Sequence, residues 1–167
     1  MKFKIQLLLC LFMLIISINV ICLASDTRYI ESVNDLIDFS GEVNRGVSFK
    51  DITVELTTDL DLGCDESNQW TPIGNMSNPF DGSFNGGGHT ISGIYIKNDN
   101  HSNSALFGYN SGMIKNVGVK GNIIGDGMIA GICAKNIGTI FQCYNDATIS
   151  GESIQIGGIA AWNRRYR

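Results

Sequence analysis

The sequence is short of the residues on which many enzymes and metal proteins depend. It has only two histidines, His89 and His101, and no H-E-x-x-H pattern, so a zincin-type metallopeptidase site is not predicted. Past residue 66 the acidic residues are few and scattered, and they form no cluster for acid–base catalysis. His89 stands between a glycine and a predicted strand, where a structural role is the favoured interpretation. We therefore predict a chain that is not an enzyme, with no catalytic residues and no cofactor.

Cysteine and positive charge are also scarce. Two of the five cysteines, Cys10 and Cys22, lie in the N-terminal segment, and the three that remain fit neither a disulfide framework nor a zinc-binding spacing. The 16 acidic residues outnumber the 12 basic ones, and the formal net charge is −4. Because an acidic chain repels nucleic acid and anionic lipid, neither is predicted as a partner.

The N-terminal segment has the features of an export signal. Two lysines precede an apolar run over residues 5–20, and small residues follow at Cys22 and Ala24. We predict a signal peptide over residues 1–24 and a secreted or cell-surface protein, with no membrane contact after cleavage. The run is nearly long enough to be an uncleaved anchor, which remains an alternative. A lipoprotein acylated at Cys22 is another alternative, although Ile21 is larger than the residue usual before such a cysteine.

The rest of the chain divides into a short cap and a long β-region. Residues 28–49 are predicted as an N-terminal cap segment, with a helix that Ser32 starts, that has apolar residues at helical spacing, and that ends before Gly46. From Ile52 onward apolar and polar residues alternate, as in strands with one buried face. All 20 glycines lie after residue 24, which predicts a fold rich in turns.

A repeat of about 26 residues occupies the C-terminal part of the chain. Residues 106–114 align with residues 132–140 at an offset of 26, and a third copy begins at Ile159 at an offset of 27. Short strands separated by Gly or Asn corners predict one coil of a parallel β-helix per repeat. A propeller blade would need about 40 residues. The predicted fold is all-β, a right-handed parallel β-helix of about 26-residue coils with a short N-terminal capping helix.

The alignment also predicts contacts between coils. Cys133 and Cys143 occupy positions that hold apolar residues one coil earlier, so both are expected to point inward as small apolar side chains. Lys120 comes to lie opposite Asp146, where a cross-coil ion pair is expected.

An ordered series of motifs runs through the middle of the chain. The sequence W-T-P-I-G begins at Trp70 and F-D-G-S-F-N-G-G-G-H-T-I-S-G begins at Phe80, and A-L-F-G and G-M-I-K-N-V follow. This series resembles the GLUG-motif family of bacterial secreted and cell-surface proteins over residues 49–163. The resemblance implies a right-handed β-helix of the kind found in adhesin-like proteins and beside the catalytic domain of immunoglobulin-A-cleaving metallopeptidases.

The resemblance assigns structural roles to residues of this motif series. They are Trp70, Pro72, Gly74, Phe80, Gly82, Phe84, Gly88, His89, Gly93, Phe107, Gly108, Gly112, Ile132 and Gly138. We predict GLUG-like repeats over residues 50–163 and a truncated tail at 164–167, so the chain is interpreted as an N-terminal fragment of a longer repeat protein. An incomplete third repeat would leave an open edge, through which the chain could associate with itself.

Two further sets of residues are candidate binding sites. Asp59, Asp61 and Asp65 are candidate calcium ligands, but they match no known calcium pattern, and a solvated face is the favoured interpretation. The large aromatic residues of the motif series could form a glycan-binding strip, although a core or cap position is favoured for them.

Together these features predict a non-enzymatic structural or adhesive module whose partner is an extracellular protein or a glycan. One alternative is a fragment of a secreted metallopeptidase that lacks its catalytic domain. The other is a carbohydrate-active β-helix enzyme, since this fold also hosts such enzymes, although a fold does not by itself supply an activity.

Overall fold

The computed structural model describes residues 26–98, 103–152 and 155–164. The predicted signal peptide, His101 and the end of the predicted tail lie outside these residues. The elements in chain order are β1 (Asp26–Ile30), α1 (Val33–Asn44), β2 (Ile52–Leu56), β3 (Leu60–Asp61), β4 (Ser83–Asn85), β5 (Thr90–Asn98), β6 (Phe107–Asn110), β7 (Met113–Lys115), β8 (Gly118–Gly125), β9 (Met128–Ala130), β10 (Cys133–Asn136), β11 (Thr139–Phe141), β12 (Tyr144–Asn145), β13 (Thr148–Gly151), β14 (Gln155–Gly157) and β15 (Ala160–Asn163).

The strands stack in parallel as a β-helix of about five coils. Strands β1, β2, β4, β7 and β11 form one sheet, and each strand pairs in parallel with the next. A second sheet joins β3, β5, β8 and β12, with β13 also on β8, while β6, β10 and β15 form a third. A two-stranded sheet of β9 and β14 completes the last coils. The predicted parallel β-helix is therefore confirmed.

The repeat alignment gives the correct register between the last coils. Phe107 pairs with Cys133 and Cys133 pairs with Ala160, as the offsets of 26 and 27 residues require. The coil length is not uniform, because Thr53 pairs with Ser83 and Ser83 with Met113, 30 residues apart in both cases.

The β-helix begins earlier than the sequence predicts. Strand β1 comes before the helix and pairs with β2 from Asp26 to Ile30, so it forms part of the first coil. The predicted cap segment, residues 28–49, therefore starts inside a strand. Only Ile30 of this strand is buried, and one buried residue gives no visible alternation of apolar and polar residues.

Helix α1 packs on the first coil as the predicted cap. Its N-cap residue is Ser32, whose hydroxyl accepts a hydrogen bond from the backbone N–H of Asp35. The helix buries Leu36, Phe39 and Val43. The Phe39 ring meets three other phenylalanine rings, at 5.0 Å from Phe49, 5.6 Å from Phe80 and 6.1 Å from Phe84.

A continuous apolar core runs along the axis from this cap. Side chains at equivalent register positions stack in columns, such as Val54, Phe84, Ile114 and Ile140. The first three are fully buried, whereas Ile140 in the last described coil is only partly buried. Burial of these columns, at about 25 cal/mol per Å² of apolar surface, is what holds the coils together.

Candidate functional site

The third sheet carries a column of large side chains that contact each other across coils. Tyr109, Lys135 and Trp162 occupy equivalent register positions in β6, β10 and β15. The ammonium nitrogen of Lys135 lies 4.9 Å from the centre of the Tyr109 ring and 5.1 Å from the centre of the Trp162 ring. A cation in this position is attracted by the faces of both rings. We call these three residues the aromatic–lysine column.

A ladder of hydrogen-bonded asparagines, buried at its first two members and exposed at the third, runs beside this column. Asn110, Asn136 and Asn163 each follow one member of the column in sequence. The amide of Asn110 donates to Oδ1 of Asn136 at 2.7 Å, and the amide of Asn136 donates to Oδ1 of Asn163 at 2.8 Å. Asn110 and Asn136 are almost completely buried. Because a buried amide must find its partners, a slipped register would break the ladder and displace the column.

A groove of about 630 Å³ lies beside the column. Its described wall comes from four successive coils. The first contributes Asn44 of α1, the second residues 71–76, the third Asn103 and Tyr109, and the fourth Lys135. The groove therefore runs along the axis of the β-helix. Lys135 is the only charged side chain in this described lining.

Side-chain amides hold part of the groove wall in place. The Asn44 amide donates to the carbonyl of Pro72 at 3.0 Å, and its Oδ1 accepts from the backbone N–H of Gly74 at 2.9 Å. The Asn103 amide donates to the carbonyl of Gly108 at 3.0 Å. These bonds join the cap helix and two loops to the coils, so the wall is preformed rather than made by a single loop.

A second groove, of about 470 Å³, separates α1 from residues 62–71. Its apolar wall includes Val33, Ile37, Leu62 and Trp70, and Cys64 lies within it. Burial raises the pKa of the Cys64 thiol, so this group is protonated and weakly nucleophilic at neutral pH.

Each of the three candidate calcium ligands accepts hydrogen bonds from neighbouring groups of the protein. Asp59 accepts from the backbone N–H of Thr90 at 2.8 Å and lies 3.2 Å from Nδ1 of His89, and both contacts lower the pKa of its carboxyl. Asp61 accepts from a backbone N–H at 3.2 Å. Asp65 accepts from two backbone N–H groups and a serine hydroxyl, the hydroxyl bond being its main cause of a lowered pKa. Within the described ranges, no group of three His, Cys, Asp or Glu side chains is arranged to hold a metal ion.

The large residues of the motif series lie in the core. Phe80, Phe84, Phe107 and Ile132 are fully buried, so none of these four offers a platform to a ligand, whereas Trp70 is mostly buried and lines the second groove. The indole N–H of Trp70 donates to the carbonyl of Leu106 at 3.1 Å.

The smaller motif residues lie at corners of the coils. Gly82, Gly112 and Gly138 stack, and a Cβ atom on either of the last two would overlap the carbonyl oxygen of the glycine one coil earlier. Gly74 has φ +77° and lies against the backbone of Tyr109, which leaves no room for a side chain. The other small motif residues also lie in turns or close contacts between coils: Pro72, Gly88, Gly93 and Gly108.

The contacts predicted from the repeat are present. Cys133 is fully buried, and desolvation raises the pKa of its thiol to about 12. Cys143 packs against the core but is only partly buried, because it lies in the last described coil. Nζ of Lys120 lies 3.5 Å from Asp146, as expected.

The aromatic–lysine column and the groove were not predicted from the sequence. The signal for the column was available, because the repeat alignment places Tyr109, Lys135 and Trp162 at one position. The column was not recognised because a tyrosine, a lysine and a tryptophan do not look like equivalent residues of a repeat. The groove had no local signal, since its wall combines residues from separate coils.

Among known proteins, the chain is similar to a protein of Evansella cellulosilytica named "Putative Gly-rich membrane protein", with 28% identity over 118 residues. The similarity covers 66% of this chain and 13% of that protein, so the chain spans only a small part of the relative's length. No protein-family model and no solved structure matches the chain. None of the helices in the described parts of the chain is long and apolar enough to cross a membrane.

Proposed function

We propose that the chain is a non-enzymatic structural or adhesive module of a secreted or cell-surface protein. The observation that supports this proposal best is the aromatic–lysine column, which the coils present along one side of the β-helix. Cation–π contacts add to the stability of the stack. The groove beside the column gives the module a surface on which a partner can bind.

The apolar run over residues 5–20 and the small residues after it support export. The similarity to a protein named as a membrane protein supports a place in an envelope-associated parent, of which this chain represents one module. The GLUG-like motif series supports the same interpretation and remains our proposed family relationship.

Expression of the tagged full-length chain in a bacterial host tests this proposal. We expect intact-mass analysis to give a mature protein that begins at Ser25 or Asp26, found in the medium or accessible to protease on whole cells. A product that retains Met1 and stays inside the cells would contradict the proposal. Release of reducing sugar from a polysaccharide panel by the purified protein would favour the carbohydrate-active enzyme instead.

A further inference from the structure

The groove beside the aromatic–lysine column is shaped for an extended ligand. Its described wall extends from α1 across three coils that pair at Ile73, Phe107 and Cys133, and paired strands are about 4.8 Å apart, so these three coils span about 10 Å. A ligand that lies along it would meet one set of side chains per coil. An extended oligomer fits a groove of this shape better than a compact small molecule does.

The chemistry of the wall favours a carbohydrate. Four asparagines, at positions 44, 75, 98 and 103, line the groove together with the Tyr109 ring. Asn44, Asn75 and Asn103 already use part of their amide groups in bonds within the protein. Because an amide has two donors and two acceptor sites, the sites left over on these residues can bond the hydroxyl groups of a ligand. An aromatic ring offers an apolar face on which the C–H side of a sugar ring can pack.

A peptide added as a further strand fits this wall less well. Strand addition needs free backbone donors and acceptors at a sheet edge. Behind the groove, β10 already pairs with β6 on one side and with β15 on the other. Phe107 of β6 also bridges to Ile73 of the preceding coil. The backbone on this side of the molecule is therefore occupied.

The single charged side chain in the described wall indicates that the ligand is negatively charged. Lys135 lines the groove, and no described carboxylate forms an ion pair with it. The two rings hold its ammonium group in place, so little side-chain freedom is lost when an anion binds. The rest of the described lining is neutral, so no fixed negative charge in it opposes an anion.

We propose that this groove binds an acidic oligosaccharide, with a sugar ring on Tyr109 and a sugar carboxylate on Lys135. This inference rests on the proposed function and specifies the class of ligand that the adhesive module binds. Binding requires no chemical step, so hydrolysis of the ligand would contradict the proposed function and leave the binding site intact.

Calorimetric titration of the mature chain tests the site. The probes are the uronic-acid tetrasaccharides from pectate, alginate and hyaluronan, each paired with its carboxyl-reduced form. We expect at least one acidic probe to bind about 10-fold more tightly than its reduced form, which corresponds to about 1.4 kcal/mol. This preference should shrink as salt is raised.

Four variants test whether the oligosaccharide binds in this groove. Lys135→Met removes the charge but keeps an unbranched side chain, and we expect it to abolish the preference for the acidic form. Tyr109→Ala should weaken binding of both forms by about 10-fold or more. Lys115→Met and Tyr29→Ala are matched controls on another sheet and should bind as the wild type does. Circular dichroism confirms that each variant is folded.

Three results would overturn the proposal. The first is the absence of measurable binding for every acidic probe. The second is equal affinity of the wild type for an acidic probe and its reduced form. The third is loss of affinity in the control variants equal to that in Lys135→Met and Tyr109→Ala. Mass analysis of the probe after titration reports any cleavage and so tests the non-enzymatic function separately.

Discussion

Removal of one rung from the asparagine ladder should destabilise the β-helix strongly. In Asn136→Ala, three side-chain hydrogen bonds are lost: the one accepted from Asn110, the one donated to Asn163 and the one donated to the carbonyl of Gly138 at 3.3 Å. Neutral hydrogen bonds of this kind contribute about 1 kcal/mol each, so we expect a loss of about 3 kcal/mol. A typical domain has only about 5–15 kcal/mol of total stability.

Urea unfolding followed by circular dichroism measures this loss. With a dependence of about 2 kcal/mol per molar urea, the midpoint should fall by about 1.5 M. Asn68→Ala is the matched control, because Asn68 is exposed and bonds Asp65 only through its backbone. If both variants unfold at the same urea concentration, the ladder contributes nothing and the reasoning fails.

A double-mutant cycle separates the ladder from general packing. Asn110→Ala removes the neighbouring rung, and the two side chains are in direct contact at 2.7 Å. We expect the double variant to be less destabilised than the sum of the single variants, with a coupling energy of about 0.5–3 kcal/mol. Strict additivity would show that the two amides act independently, which contradicts a cooperative ladder.

Three further outcomes follow from the core and from the titrating groups. Phe107→Asp should unfold the domain, because it places a charge in a fully buried column, whereas Lys97→Ala at a half-exposed position should not; equal thermal midpoints would contradict the register. Cys133 should resist alkylation in the native state and react after denaturation. Since burial raises the pKa of its thiol from 9.0 to about 12, the stability that it contributes should be full below pH 9 and be lost as the pH rises toward 12, and Cys133→Ala should remove this alkaline component in urea titrations. Asp59 has a lowered pKa, chiefly because it accepts from the Thr90 N–H, so its contribution should be present above about pH 4 and be lost at lower pH; Asp59→Asn should reduce the acid sensitivity of unfolding.

The sequence was sufficient for the stacking of the coils because the repeat encodes it directly. Phe107, Cys133 and Ala160 fall in one register column, and so do the residues that flank them. The capping helix was also predictable, since Ser32 and the apolar spacing after it are local signals. Strand β1 was missed because it carries one buried residue, and its pairing with β2 is decided by tertiary contact rather than by its own pattern.

The groove was beyond sequence analysis for a different reason. Its wall depends on the placement of Asn44 in α1 beside Pro72, 28 residues later in a loop, and on a local turn that brings Asn103 to Gly108. Coil length also varies between 26 and 30 residues in the first sheet, so a single offset does not align these loops. A constant repeat predicts the core columns, which follow the strands, but not a surface made from loops.

The corners and the outer face of the coils are subject to different physical constraints. At the corners, Gly138 lies so close to Gly112 that no side chain fits. The buried amides of Asn110 and Asn136 can be replaced only by a side chain that has both a hydrogen-bond donor and an acceptor. The corners therefore contribute, with the buried apolar columns, to the register of the coils. The outward positions at Tyr109, Lys135 and Trp162 carry no such requirement, and small polar residues there would keep the backbone pairing and remove only the cation–π contacts. Three large side chains in contact at those positions are more than the fold needs, and recognition of a ligand along the groove is a function that would use them.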